Sequence, residues 1–275
     1  MVDDKNIIRL KKPDMFSLER TLDCGQAFRW EKDADGVFSG VAYGKVMRVK
    51  EEGDSLLFYG MKNEDVQGVF YRYLDLGRNY REITDRYKDD KYLSAACRDC
   101  PGIRILRQEP WEALCSFIIS QNNNIPRIKG IIKRLCESFG EEIESGMYTF
   151  PSPDVLSGKV PEDLAVLRAG FRAKYIIDAA NKASSGEIDF DKIADSPIEF
   201  GRQELQKIKG VGKKVAECTL LYGFGKYEAF PVDVWVKRIM AEMYPDGLPS
   251  CTEGSEGIAQ QYLFHWRRTV YRENP

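Results

Sequence analysis

Histidine is nearly absent from the chain: of 275 residues only His265 is one. A Ser-His-Asp or Cys-His catalytic arrangement would need that residue as its base, and it falls in a helix-patterned stretch. Cysteines are present, 7 of them, but not in metal-binding order. Cys97-Arg98-Asp99-Cys100 has the spacing of half a zinc knuckle with no second pair following, and the clustered four-cysteine spacing of an iron–sulfur loop is missing. No metal site is expected. An odd number of scattered thiols favours reduced cysteines in a reducing compartment. No apolar run approaches ~18 residues, so no membrane span is expected. Met1–Lys5 offers no apolar core for a signal peptide, which points to the cytoplasm.

An excess of one charge is lacking too. Lys and Arg total 41 against 43 Asp and Glu, for a net charge of −2. The sum hides a segregation. Residues 121–134 carry Arg127, Lys129, Lys133 and Arg134 with no acid, and residues 202–214 carry Arg202, Lys207, Lys209, Lys213 and Lys214 against Glu204. Each stretch is a basic patch, offset by acids at Glu137–Glu144 and Glu187–Glu199. Near neutrality therefore leaves a nucleic-acid partner open, with modest non-specific affinity and salt dependence.

What is there divides into two patterns. Phe38, Val41, Tyr43, Val46 and Val49, and the run Leu56–Tyr59, are set off by turn signals such as Asp35-Gly36 and Gly53-Asp54, as in short antiparallel strands. Helices are expected around 64–74 and 84–96. From about residue 105 the period changes: Trp111, Leu114, Cys115 and Ile118 mark one amphipathic helix, and Ile128, Ile131, Ile132, Leu135 and Phe139 the next. Further helices are expected at 161–168, 172–185, 199–207, 213–223, 234–243 and 256–270. The expected fold is α+β: an N-terminal antiparallel β-sheet domain over 1–104, then an all-helical domain over 105–275, meeting at the turn Pro101-Gly102.

Chemistry concentrates in Leu205–Ala216, which reads as a helix end, a Gly210-Val211-Gly212 turn and a new helix start. Both glycines permit positive φ and present backbone N–H groups beside a helix N-terminus, where Lys207, Lys209 and Lys213 could help hold a phosphate. An ordinary helical hairpin with a glycine cap remains open on the same residues. Asp233 follows in Phe230-Pro231-Val232-Asp233-Val234, placed to cap the next helix. If Gly223-Phe224-Gly225 ends the first helix and residues 226–232 return along it, Lys214 and Asp233 share one cleft. Lysine titrates near ~10.4 when free and must lose its proton to attack; the helix N-terminus and Lys213 both disfavour the ammonium form. Such a lysine could form a Schiff base, while the carboxylate could stabilise an oxocarbenium-like sugar and shuttle protons. A surface lysine and a simple capping aspartate are the plainer alternative.

These residues resemble the helix-hairpin-helix DNA glycosylase superfamily and, within it, the 8-oxoguanine DNA glycosylase/AP lyase branch. The likeness also covers Cys24-Gly25-Gln26-Ala27-Phe28-Arg29-Trp30, Leu106–Pro110, Ser116–Ile125 with its Asn122-Asn123-Asn124 triplet, and Leu167–Tyr175. It implies Lys214 as nucleophile, Asp233 as the assisting acid, and a base flipped out of duplex DNA. It further implies that the Gly25 carbonyl accepts from the N7–H that guanine lacks, that Cys218 and Phe264 sandwich the base, and that Gln260 reads its Watson–Crick edge. Asn122 would fill the vacated stack. Arg127 and Arg172 would read the partner base, usually cytosine, with Phe171 as wedge. Gly210 and Gly212 would contact the backbone. No cofactor is implied, though hairpin carbonyls could bind a monovalent or divalent cation on DNA. The implied partner is double-stranded DNA containing 8-oxoguanine, met by a monomer at the nucleoid. Three positions depart from the branch: Phe171 where tyrosine is frequent, Trp235 where histidine is, and Arg267 where an acid is. These departures bear on how the 5′ phosphate is held and how strictly cytosine is required. Two other readings stay open: a monofunctional alkylbase glycosylase, which lacks the hairpin lysine, and a non-catalytic hairpin DNA-binding protein, which would need neither Asp233 nor the Gly25 string.

Overall fold

A computed structural model describes residues 7–271; the Met1–Lys5 stretch considered above lies outside them. Five antiparallel strands form one sheet in the order Ile7–Lys11, Ser55–Tyr59, Lys45–Glu52, Phe38–Ala42, Glu31–Lys32. Two-residue turns set the register. Ala42 pairs with Lys45 across Tyr43-Gly44, both at positive φ (53° and 65°), and Glu52 pairs with Ser55 across Gly53-Asp54. Such turns match the right-handed twist of a hairpin. Phe38, Met47, Val49, Leu56 and Phe58 then bury against Trp30, Phe70 and Leu106 as one core.

A second, larger core belongs to the helices. The helix expected at 84–96 is two, Tyr80–Arg86 and Lys91–Asp99. Asp90 starts the second, accepting from the backbone N–H of Tyr92 and Leu93 at 3.0 and 2.8 Å. Both join the helical core through Tyr80, Tyr87, Leu93 and Ala96. The expected helix at 161–168 reduces to one 3₁₀ turn, Ala165–Leu167, because consecutive bonds there run i to i+3 and Arg168 enters the left-handed region at φ 52°. The stretch at 64–74 is interrupted by a π turn at Val66–Phe70. The small hairpin Glu142–Glu144/Met147–Tyr148 and the helices Pro153–Leu156 and Phe190–Asp195 carry no strong periodicity and are additions.

Two helices make the centre, Pro110–Ser120 and Lys213–Phe224. The first is not the one-faced helix its spacing predicts: every residue from Trp111 to Ile119 is buried, as is every residue from Val215 to Tyr222 in the second. Gly223 lets them approach, since a Cβ there would come within 2.9 Å of Pro110 Cα. The two halves of the chain meet without a linker. Gly102, at φ 87°, sits so close to Phe16 and Ser17 that a Cβ would meet their backbone at 2.6 Å. Buried Gln26 donates to the carbonyls of Thr21 and Arg104 at 2.8 and 2.7 Å and accepts from Leu106 N–H at 2.9 Å. No described helix is long and apolar enough to cross a membrane.

Candidate active site

The helix Lys213–Phe224 starts at Gly212 and ends with Gly225 in the left-handed region, φ 66°. Of the two hairpin glycines only Gly210 has positive φ, 79°, and a Cβ on it would collide with the Tyr175 ring at 2.3 Å. Gly212 corrects the expectation: it is extended, φ −93° and ψ −178°, and space beside it is open. Its service is an unobstructed approach to the helix N-terminus rather than a special backbone angle.

Residues 226–232 do return along that helix. Buried Glu217 fixes them, accepting from Phe230 N–H at 2.8 Å and from Arg202 Nε at 2.5 Å. Asp233 then caps Val234–Met243, its Oδ1 accepting from Val236 N–H at 2.8 Å. Arg202 is itself 31% exposed and keeps Glu199 at 3.2 Å, so what Glu217→Ala leaves without a partner is chiefly the Phe230 N–H. The substitution should therefore lower stability by about 1–3 kcal/mol in a denaturant melt. An unchanged midpoint would show that Glu217 does not hold the return segment.

A cleft of about 810 Å³ gathers Gly25, Asn122, Gly212, Lys214, Asp233, Trp235 and Phe264, residues drawn from both ends of the chain. Lys214 Nζ lies 3.3 Å from Ser120 Oγ and 5.1 Å from the Phe117 ring centroid. One turn along the same helix is buried Cys218, whose thiol is pushed up to about 11 by burial, with the Lys214 ammonium opposing. Gly25 holds φ 88°, a conformation only glycine adopts freely. The C-terminal helix Glu256–Thr269 brings Phe264 to the cleft, whereas Gln260, one turn back on it, and Cys218 lie behind the lining residues. Gln260 is buried, yet its Oε1 finds no hydrogen-bond partner in the protein. An orphaned buried acceptor is costly and suits a ligand that donates to it.

The asparagine triplet divides its labour. Asn124 caps Ile125–Phe139, accepting from Arg127 N–H at 3.1 Å, and Asn123 Nδ2 donates to Ile119 O at 3.0 Å. Asn122, at φ 47°, is exposed on the cleft. Arg172 is buried behind the triplet, donating from Nε to Gln121 O at 2.9 Å and from Nη2 to Asn122 O at 2.9 Å. Arg127 and Phe171 are exposed, Phe171 with its ring over the Arg172 guanidinium at 4.5 Å. Several basic residues counted toward the patches have protein partners: Arg134 donates to Leu167 O and Lys129 to Trp30 O, while Lys207 and Lys209 stay exposed in surface pairs with Glu204 and Asp178. The cleft mouth instead carries Lys237 and Arg268, which sequence reading missed along with Ser120 and Phe117. Arg268 lies over the Phe264 ring at 5.0 Å. Helical spacing links Lys237 to Asp233 and Arg268 to Phe264, each one turn on, and could have signalled both.

An amine and a carboxylate at paired helix N-termini, beside a helix-hairpin-helix and in a cleft rimmed by cations, define a base-excision DNA repair class. Comparison with known proteins agrees. Residues 7–114 match the family described as 8-oxoguanine DNA glycosylase, N-terminal domain, and residues 115–248 the HhH-GPD superfamily base excision DNA repair protein. The Saccharomyces cerevisiae N-glycosylase/DNA lyase is 32% identical, covering 82% of this chain and 68% of its own. The Clostridium acetobutylicum 8-oxoguanine glycosylase/lyase, solved with double-stranded DNA containing cytosine opposite 8-oxoguanine, is 37% identical with TM-score 0.89, covering 98% of this chain and 97% of that one. MBOgg1, solved with a low-affinity DNA ligand, is 42% identical with TM-score 0.90 over 98% of each chain. The chain belongs to the 8-oxoguanine N-glycosylase/DNA lyase family.

Proposed function

We propose that this protein excises 8-oxoguanine from duplex DNA and nicks the strand at the resulting site. The observation that carries this reading is Lys214 beside Ser120 and Phe117 in the one cleft that also holds Gly25, Asp233 and Phe264. The extruded base enters between Cys218 and Phe264. The Gly25 carbonyl accepts the N7–H of 8-oxoguanine; guanine would oppose it with a lone pair, a mismatch that costs a buried hydrogen bond and adds repulsion. Gln260 supplies an unfilled acceptor for the base's donors.

Lys214, as free amine, forms a bond to C1′ while the C1′–N9 bond breaks, and the base leaves with that electron pair and takes up a proton. Asp233 offsets the positive charge that builds on the sugar. The Lys214 nitrogen gives up one proton, the one the departing base takes; its lone pair then opens the C1′–O4′ bond, O4′ takes a proton from water, and an iminium forms on Lys214. Water accepts a 2′ proton as the C3′–O bond breaks and the 3′ phosphate leaves with that electron pair, and hydrolysis of the iminium releases the lysine. Amine and carboxylate suffice for every step, so the chemistry needs no cofactor. Within the hairpin the carbonyls of Ile208 and Gly212 are taken by the N–H groups of Val211 and Ala216, at 3.0 Å each. Those of Lys209, Gly210 and Val211 are the candidates for a cation bridging to a DNA phosphate.

Asn122 fills the vacated stack and Phe171 wedges the opposite strand. With Arg172 engaged on protein carbonyls, Arg127 is the arginine left exposed for the partner base. One bidentate arginine–base pair sets discrimination of about 10- to 100-fold. Excision opposite cytosine should therefore exceed excision opposite adenine, guanine or thymine by no more than that, measured in single turnovers on four duplexes. Discrimination above about 1,000-fold would contradict the single-arginine reading.

A further inference from the structure

The carbonyl that reads the base belongs to a loop, and loops are poor places to fix an atom without support. Here the support is specific. Gln261 Nε2 donates to Cys24 O at 3.3 Å, holding the peptide just before Gly25. Gln108 Nε2 donates to Gln26 O at 2.7 Å, holding the Gln26–Ala27 peptide, the one that follows the peptide of the Gly25 carbonyl. Both glutamines are buried, and both connect to one residue of the Lys214 helix. Tyr222 OH donates to Gln261 Oε1 at 2.7 Å, and Tyr222 O accepts from Gln108 N–H at 2.8 Å. The Tyr222 ring in turn stacks on Phe117, centroids 5.2 Å apart and planes at 20°, and Phe117 is the ring beneath Lys214 Nζ.

We propose that Gln261 and Tyr222 form a positioning bridge that holds the Gly25 carbonyl in register with Lys214, so that recognition of the base and attack on its sugar are aligned by one buried network. The proposal rests on the reading of Gly25 and Lys214 given above. Neither bridging residue touches the reacting atoms: Gln261 acts through the Cys24 peptide, and the Tyr222 hydroxyl acts through Gln261. Burial makes the arrangement exacting, because an amide stripped of partners in a dry interior seeks new ones and takes its loop along. The other peptide, anchored by Gln108, would remain, so a Gln261 variant should swing the loop rather than unfold it.

The bridge predicts a split between two activities of the same enzyme. Cleavage of a ready-made abasic site needs Lys214 but no base recognition, whereas release of 8-oxoguanine needs both. Gln261→Leu, close in volume but without the amide, should slow single-turnover release of 8-oxoguanine by about 10- to 100-fold. Its cleavage of a duplex carrying a preformed abasic site should stay within about twofold of the unaltered chain. Tyr222→Phe deletes one hydroxyl, keeps the ring on Phe117, and should show the same split at about three- to tenfold. Equal losses on both substrates in both variants would make the network merely structural, and no loss on either would remove it from function. Both results overturn the bridge. The unaltered chain serves as the separate control: failure to release 8-oxoguanine there would refute the proposed function itself.

Discussion

Lys214→Gln should form no covalent adduct when borohydride is added to the protein with a duplex containing 8-oxoguanine, and base release should fall by at least about 1,000-fold. The size follows from chemistry rather than from contact loss. A glutamine amide retains hydrogen bonding toward Ser120 but has no basic lone pair, so neither attack at C1′ nor the iminium can occur. Stability should hardly change. Lys214 is only half-buried, it meets the Ser120 hydroxyl at 3.3 Å, and its ammonium lies over the Phe117 ring, 5.1 Å from the centroid. A thermal melt matching that of the unaltered chain would thus separate lost chemistry from lost fold. An adduct surviving the substitution would move the nucleophile elsewhere, and retained base release without an adduct would point to water as the attacking group. The same trapping experiment distinguishes the alternative classes, because a monofunctional glycosylase releases base without an adduct and a non-catalytic module does neither.

Local signals made the catalytic pair legible. Glycines flanking Lys214's helix and the Pro-Val-Asp preceding the next one are start and stop marks, and both helices begin where those marks lie. The β-hairpins were only partly readable: Gly53-Asp54 declares its turn, whereas Tyr43, an expected strand residue, is the first residue of the Tyr43-Gly44 turn at φ 53°. Periodicity failed where burial is complete. Pro110–Ser120 shows a one-sided stripe, yet Ala113, Ser116, Phe117 and Ile119 are covered as well, because Lys213–Phe224, Ile125–Phe139 and Arg172–Ser184 all pack on it. Period reports which face is apolar, not how many neighbours arrive.

Residues that hold the site from a distance were the least legible. Gln261 and Cys24 are separated by 237 positions, Tyr222 and Gln261 by 39, and no spacing rule joins them. Charge was misleading for a related reason. Composition locates basic stretches but not their partners: Lys129 and Arg134 donate to the carbonyls of Trp30 and Leu167, while Lys207 and Lys209 make exposed pairs with Glu204 and Asp178 that still leave them at the surface. The asparagine triplet shows that plain and functional readings need not compete: Asn124 caps one helix, Asn123 donates to Ile119 O at the end of the other, and Asn122 between them is displayed on the cleft.

Asp233 raises that question most sharply, because it caps a helix and faces the cleft at once. The two duties can be pulled apart by choice of replacement. Asparagine preserves a side-chain oxygen for Val236 N–H and caps about as well as aspartate. It removes the negative charge that would offset the sugar cation. Asp233→Asn should therefore melt within about 0.5 kcal/mol of the unaltered chain, yet release 8-oxoguanine about 100- to 1,000-fold more slowly. Asp233→Ala should show the same kinetic defect together with about 1 kcal/mol of lost stability, since the Val236 N–H then has no side-chain partner. Serine, a good cap without a carboxylate, should track asparagine in both measurements. Were asparagine and serine as active as aspartate, Asp233 would be a cap alone, and the charge opposing the oxocarbenium would have to come from another group of the cleft. A graded loss following stability would lead to the same conclusion. A kinetic loss independent of stability assigns the carboxylate to the reaction, because the cap is then intact and only its charge has gone.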